Sequence, residues 1–348
     1  MTNNNYKDFI ETIKKIENAS KWENIRTSEI KVFESSNAFF NAEEGEETLF
    51  INGKIDNVVY PVHHLALNGL TARAGFGITG NKFFKSPAVP VPDKVNAINA
   101  GLQFCNPDKT VKVLTRGGYY LAFHSDKYVP VNQEEIFSKT DEKLKGYKAA
   151  FNYGEYSLEK SEARYKIESE GLDEVKAKLQ RHGFIKKGDN VSVNLTVVTS
   201  DVTISGINCF ISCRLKNFQL PLCDSIKVPH MSKEKAPLDK FISKMDNLYQ
   251  VINAGIDKIA ALKNIEIDYP QEVINKLLKK CSVDKKSRES FLNEAALEIT
   301  GASNAFDVYC CLCNILNYSS DSYSSISMEN RISAFANMSV SEWNELDS

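Results

Sequence analysis

Residues 191–215 read VSVNLTVVTSDVTISGINCFISCRL, and this stretch decides the fold class. Val191, Val193, Leu195 and Val197 alternate with polar residues, the two-residue period of a strand with one buried face. Val, Ile and Thr dominate, as a pleated, half-buried surface prefers. Ser200-Asp201 supplies turn chemistry, so the stretch is expected to fold as two paired strands.

Working outward, TVKVLT (110–115) and YYLAFHS (119–125) flank Arg116-Gly117-Gly118, a second hairpin signal. SEIKVF (28–33), TLFING (48–53), NVVYP (57–61) and SEARYKIES (161–169) read as shorter strands. Helical spacing is expected over 6–18, 62–75, 93–105, 134–145 and 172–183. After Pro237 the pattern turns helical. Leu238, Phe241, Ile242, Met245, Leu248, Ile252, Ile256 and Ile259 form one apolar stripe. Further helices are expected near 270–281, 287–299, 303–318 and 326–337, with 319–327 as a polar loop. The class is therefore α+β: a mixed or antiparallel sheet with packed helices over 1–235, then a helical region over 236–348. The stripe could also pair with a second copy, so a homo-oligomer is one expectation.

The chain has 348 residues, 43 basic against 45 acidic, for a net charge of −2. Global charge therefore does not point to nucleic acid, but local charge does. Residues 276–288, KLLKKCSVDKKSR, carry Lys276, Lys279, Lys280, Lys285, Lys286 and Arg288 against Asp284. Residues 176–187 add Lys176, Lys178, Arg181, Lys186 and Lys187. Lys145, Lys148 and Lys160 interleave with Tyr147, Phe151, Tyr153 and Tyr156, a pattern in which rings stack on bases and cations follow phosphates. The candidate nucleic-acid contacts are Lys145, Lys148, Tyr153, Lys176, Arg181, Lys186, Lys187, Lys279, Lys280, Lys285, Lys286 and Arg288.

No apolar run approaches a membrane span, and MTNNNYKDFIETIKK lacks a secretory h-region. The expected compartment is the cytoplasm of a bacterial host. The eight cysteines show no CxxC spacing, and YCCLCNIL (309–316) reads as buried, reduced thiols. No metal and no cofactor are expected. Gly75-Phe76-Gly77-Ile78-Thr79-Gly80 matches the dinucleotide fingerprint in letters only, because a helix precedes it where a strand is needed. His63-His64 open a helix and suit capping. His124-Ser125-Asp126 ends a strand with no nucleophile nearby, and His230 sits in a basic loop. No catalytic set is legible. A pocket holding His124, Asp126 and another titratable group would favour an enzyme.

Several of these segments together resemble a phage and plasmid protein family, domain of unknown function 932. They are VHHLALNGLTARAGFGI, NAINAGLQF, VLTRGGYYLAFHSDKYVPVNQEEIF, INCFISCRL, NAFDVYCCLCNILNY and ENRISAF, spanning roughly residues 60–340. Arg116, Ser125, Asp126, Tyr128 and Pro130 occupy the positions of that family's hairpin motif. RLKNFQLPLCD stands where the family often has an Asn-Gly pair. The resemblance implies a mobile-element protein without a settled activity. Two functions compete: a non-enzymatic single-stranded DNA-binding protein of recombination or replication, and an antagonist that binds a host defence protein.

Overall fold

A computed structural model describes residues 2–34, 51–77, 80–105, 107–168, 171–202, 206–215, 219–222, 225–231, 236–299, 301–314 and 322–348. The expected α+β class is observed, and every pair of named strands is antiparallel.

The decisive stretch forms Ser192–Thr199 and Gly206–Arg214, the centre of a seven-stranded sheet. Thr2–Asn3, Ala149–Tyr156 and Ser161–Ile167 complete one side; Gln219–Pro221 and Ile226–Pro229 both pair with Gly206–Arg214 on the other. Register follows the hydrophobic period. Val193 lies between Ile167 and Cys213, Leu195 between Tyr165 and Ile211, and Val197 between Ala163 and Cys209. All nine are buried on one face. A slip of one residue would send this set to the opposite face, so burial fixes the register.

Helices Tyr6–Asn18 and Gln133–Lys145 pack near strand Ala149–Tyr156. Phe9 meets Phe137 edge to face at 4.9 Å. A Cβ on Gly154 would lie 2.3 Å from the Phe9 ring, so only glycine lets this helix approach so closely.

The stripe after Pro237 folds as two helices, Pro237–Lys244 and Leu248–Ala261, joined by a 3-10 turn at Met245–Asn247. The stripe is as expected, but it runs over two helices instead of one continuous one. The Tyr147 hydroxyl donates to the carbonyls of Met245 at 2.7 Å and Asp246 at 2.9 Å. A side chain bonded to those carbonyls interrupts the helical ladder. Leu238, Phe241, Met245, Leu248, Ile252, Ile256 and Ile259 are all buried, and one apolar cluster joins them to the sheet and to the last helices. The stripe is thus spent inside the chain.

Those last helices are Pro270–Lys280, Lys285–Glu298, Ala305–Asn314, Ser322–Phe335 and Val340–Asp347. The polar stretch read as a loop is helical from Ser322 onward, while 319–321 lie outside the described residues. The turns beyond it bury Ile332 and Phe335, and that burial carries weak helix formers along.

Residues 20–125 add a second layer. Ser20–Arg26, Thr110–Arg116 and Tyr119–Ser125 form one three-stranded sheet; Ile30–Glu34, Ile51–Ile55 and Val58–Pro61 form another. Helices His64–Arg73 and Val91–Phe104 cover them with a separate apolar cluster running from Ile25 to Phe123. The Asn99 side chain bonds both the N–H and the carbonyl of Val32, which ties its helix to an edge strand. A six-residue helix, Gly80–Lys85, follows the glycine-rich segment, where only a turn was expected.

Candidate functional site

The turn after Ser192–Thr199 carries Asp201, only 4 % exposed. A buried carboxylate must find donors, and three converge on it. Arg116 Nη2 lies 2.8 Å from Oδ2, Gln133 Nε2 lies 2.6 Å from the same oxygen, and the Tyr128 hydroxyl is 3.4 Å from Oδ1. Each donor comes from a different element: the end of strand Thr110–Arg116, the loop after Tyr119–Ser125, and the start of helix Gln133–Lys145.

Further hydrogen bonds hold these donors in place. Ser161 Oγ donates to Gln133 Oε1 at 2.5 Å. Arg116 Nε donates to Ser20 Oγ at 2.6 Å. The Gln133 N–H donates to Glu17 Oε1 at 3.1 Å, and burial raises the Glu17 carboxyl above its ordinary value. Burial alone would lower the Arg116 guanidinium, but Asp201 and Tyr156 reverse this and leave it raised. Burial and Asp201 together push the Tyr128 phenol well up.

Rings stack across the cluster. Tyr128 lies on His124 at 4.0 Å and 9°, and on His230 at 5.4 Å and 24°. Trp22 packs against Tyr128 at 5.2 Å. His124 Nε2 is 2.6 Å from the Asp201 carbonyl. His230 is fully buried, with Nδ1 lacking a partner and burial pushing its imidazole down to about 4. The sequence read His230 as a basic-loop residue, solvated or touching a phosphate. That is corrected: strand Ile226–Pro229 leads it under Tyr128, where it is fully buried.

Of the hairpin motif, Arg116 and Tyr128 reach Asp201, whereas the Ser125 carbonyl accepts the turn-closing bond from the Tyr128 N–H and Asp126 is exposed. The motif is chiefly a structural joint between the two sheets. Beside it lies a cleft of about 410 Å3 lined by His64, Asn68, Lys85, His124, Glu159 and Val202, among others. Asp126 does not line it. His63 caps the adjoining helix by accepting from the Leu65 N–H at 3.3 Å.

The basic residues fall into separate groups. Lys279 and Lys280 end helix Pro270–Lys280; Lys285 and Lys286 open helix Lys285–Glu298. All four are exposed on one interhelical turn. Lys285 pairs with Glu289 at 3.7 Å. Asp284 caps the second helix, and Arg288 bonds the Val283 carbonyl. Lys276 is withdrawn onto the carbonyls of Leu346 and Ser348. Arg181 is exposed and Lys176 half-buried on helix Asp173–Arg181, with Lys186 and Lys187 exposed in the following turn. Lys178 pairs with Asp257.

Lys145 pairs with Asp141 at 2.7 Å, and Lys148 is an exposed residue with φ +56°. The neighbouring rings are committed within the protein. Tyr147 bonds two carbonyls, Phe151 packs on Tyr6, Phe9 and Tyr165, and Tyr156 contacts Arg116. Tyr153 lies under Arg164 at 4.9 Å.

Cys311 and Cys313 are buried, Cys310 is half-buried, and burial raises Cys310 to about 12 and Cys313 well above its ordinary value. Cys223 lies outside the described residues. No cluster of three metal-ligating side chains occurs among the described residues, and no helix there is long and apolar enough to cross a membrane.

The described residues define an α+β protein with a buried polar joint between two sheets and a lysine-rich interhelical turn. No family model matches it, and neither a curated protein nor a solved structure matches it.

Proposed function

We propose that this chain is a mobile-element protein that binds single-stranded nucleic acid, DNA foremost, without catalysis, in recombination or replication. One observation carries the reading: Lys279, Lys280, Lys285 and Lys286 are exposed together on one turn. Cations suit a helix C-terminus but are unfavourable at an N-terminus, where the macrodipole is already positive. Lys285 and Lys286 occupy such an N-terminus. Their placement costs stability and concentrates positive potential, which suits phosphate. The hairpin resemblance supplies the mobile-element context. Fold alone would supply neither.

The test is fluorescence anisotropy with labelled single-stranded DNA, duplex DNA and single-stranded RNA over a salt series. Single strands are expected to bind best, with affinity falling steeply as salt rises. A Lys279→Ala/Lys280→Ala variant should flatten the log–log salt slope by about 1.4, two single-strand phosphate contacts at roughly 0.7 each. Unchanged affinity and slope in that variant and in Lys285→Ala/Lys286→Ala would reject the turn as the interface. Capture of one stoichiometric host protein, with no nucleic acid bound, would favour the antagonist reading instead.

A further inference from the structure

The cleft beside His124 stands on residues that the lysine turn does not use. Its volume of about 410 Å3 falls within the small-molecule range of roughly 300–1,000 Å3. His124 is held there from two sides. Its ring stacks on Tyr128 at 4.0 Å, and its Nε2 meets the Asp201 carbonyl at 2.6 Å. A carbonyl only accepts, so Nε2 carries the proton and Nδ1 carries the lone pair. Among the described residues no protein donor reaches Nδ1, and His124 lines the cleft. Burial lowers the pKa of His124, so the lone pair persists at neutral pH.

A fixed ring with one open acceptor is preorganised for a ligand's N–H or O–H. The rest of the wall narrows the ligand. Lys85, exposed on the cleft wall, offers a cation. His64, packed against His63 with centroids 4.3 Å apart, offers a flat ring. A planar heterocycle with an exocyclic amine and an anionic group would meet all three. We propose that this cleft binds a nucleoside monophosphate, with a base N–H donating to His124 Nδ1 and the phosphate paired with Lys85.

The test uses the full chain labelled with 15N-histidine and observed by NMR. Adenosine 5′-monophosphate, adenosine and inorganic phosphate are titrated separately. The monophosphate is expected to shift the His124 nitrogens saturably, and Lys85→Ala to weaken the apparent affinity about ten-fold, the worth of one charge-assisted contact. Val202→Trp, which fills the cleft from a half-buried position, should abolish the shift while leaving the His182 and His230 signals in place. No saturable shift, a shift of equal size from phosphate alone, or full binding by Val202→Trp would each overturn the proposal.

Discussion

Arg116 and Asp201, 85 positions apart, form a buried ion pair: Nη2 lies 2.8 Å from Oδ2, with side chains 7 % and 4 % exposed. The pair joins the three-stranded sheet of the Thr110–Ser125 hairpin to the end of the seven-stranded sheet's central strand. Two charges taken from water are costly, and here Gln133, Tyr128 and Ser20 satisfy what the pair leaves over.

Breaking this pair from one side leaves a buried charge alone. Arg116→Met is therefore expected to lower stability by about 3–5 kcal/mol. Arg116→Met/Asp201→Leu should lose clearly less than the sum of the two single variants. Urea denaturation of all four proteins measures the coupling. Strict additivity would show that the pair acts as two independent residues.

His230 gives the fold a pH dependence of definite sign. Its folded pKa is about 4 against 6.5 for the free side chain, because burial penalises the cation. Between those values the unfolded chain binds the extra proton, so stability falls as pH drops through that window. The whole effect is on the order of 3 kcal/mol. His230→Gln removes the titration, so the melting-temperature advantage of the natural protein over this variant should shrink from pH 7 to pH 4.5. A constant difference would mean that His230 titrates normally. Comparing the two proteins cancels Glu17 and Glu329, whose raised values act in the opposite direction.

Gly101 is the contact point of two helices. A Cβ there would lie 2.1 Å from the Ala74 carbonyl oxygen. Helix Val91–Phe104 cannot move aside freely, since Asn99 ties it to Val32. Gly101→Ala is expected to cost about 1–3 kcal/mol in spite of alanine's better helix propensity. A thermal melt at or above the natural protein's would show that the helices separate easily.

Thiol reactivity should be sharply selective. Cys105 is exposed, whereas burial raises Cys209 and Cys213 to about 12 and Cys281 to about 11. Because the thiolate is the nucleophile, iodoacetamide at pH 7.5 should modify Cys105 long before these three. Peptide mapping by mass spectrometry after brief labelling reads the order. Early labelling of Cys209 or Cys213 would mean that the central sheet opens.

Local pattern carried much of the architecture. The helix at Tyr6–Asn18, the hairpin at Arg116-Gly117-Gly118 and the strands around Ser200-Asp201 are each written in a few consecutive residues. Gly117 and Gly118 take φ of +58° and +80°, the conformation for which glycine is chosen. Other elements lack such a signal. Ser20–Arg26 reads SKWENIR and becomes a strand by pairing with Thr110–Arg116, some ninety residues away. Ala149–Tyr156 looked like an aromatic and basic surface, yet the Phe151 ring meets Phe9 and Tyr165 inside.

The candidate sites divide in the same way. The lysines of 276–288 are visible in sequence because four of them share one short turn. Asp201 was legible only as a turn residue, and His230 only as a loop residue. Their roles depend on partners far along the chain, Arg116 for one and Tyr128 for the other. Sequence by itself determined the class, the strand faces and most of the helices, since these follow from periodicity and turn chemistry over a few neighbours. Only the tertiary structure decided which polar side chains are buried together, because desolvation depends on what packs above a residue, and distant segments provide that.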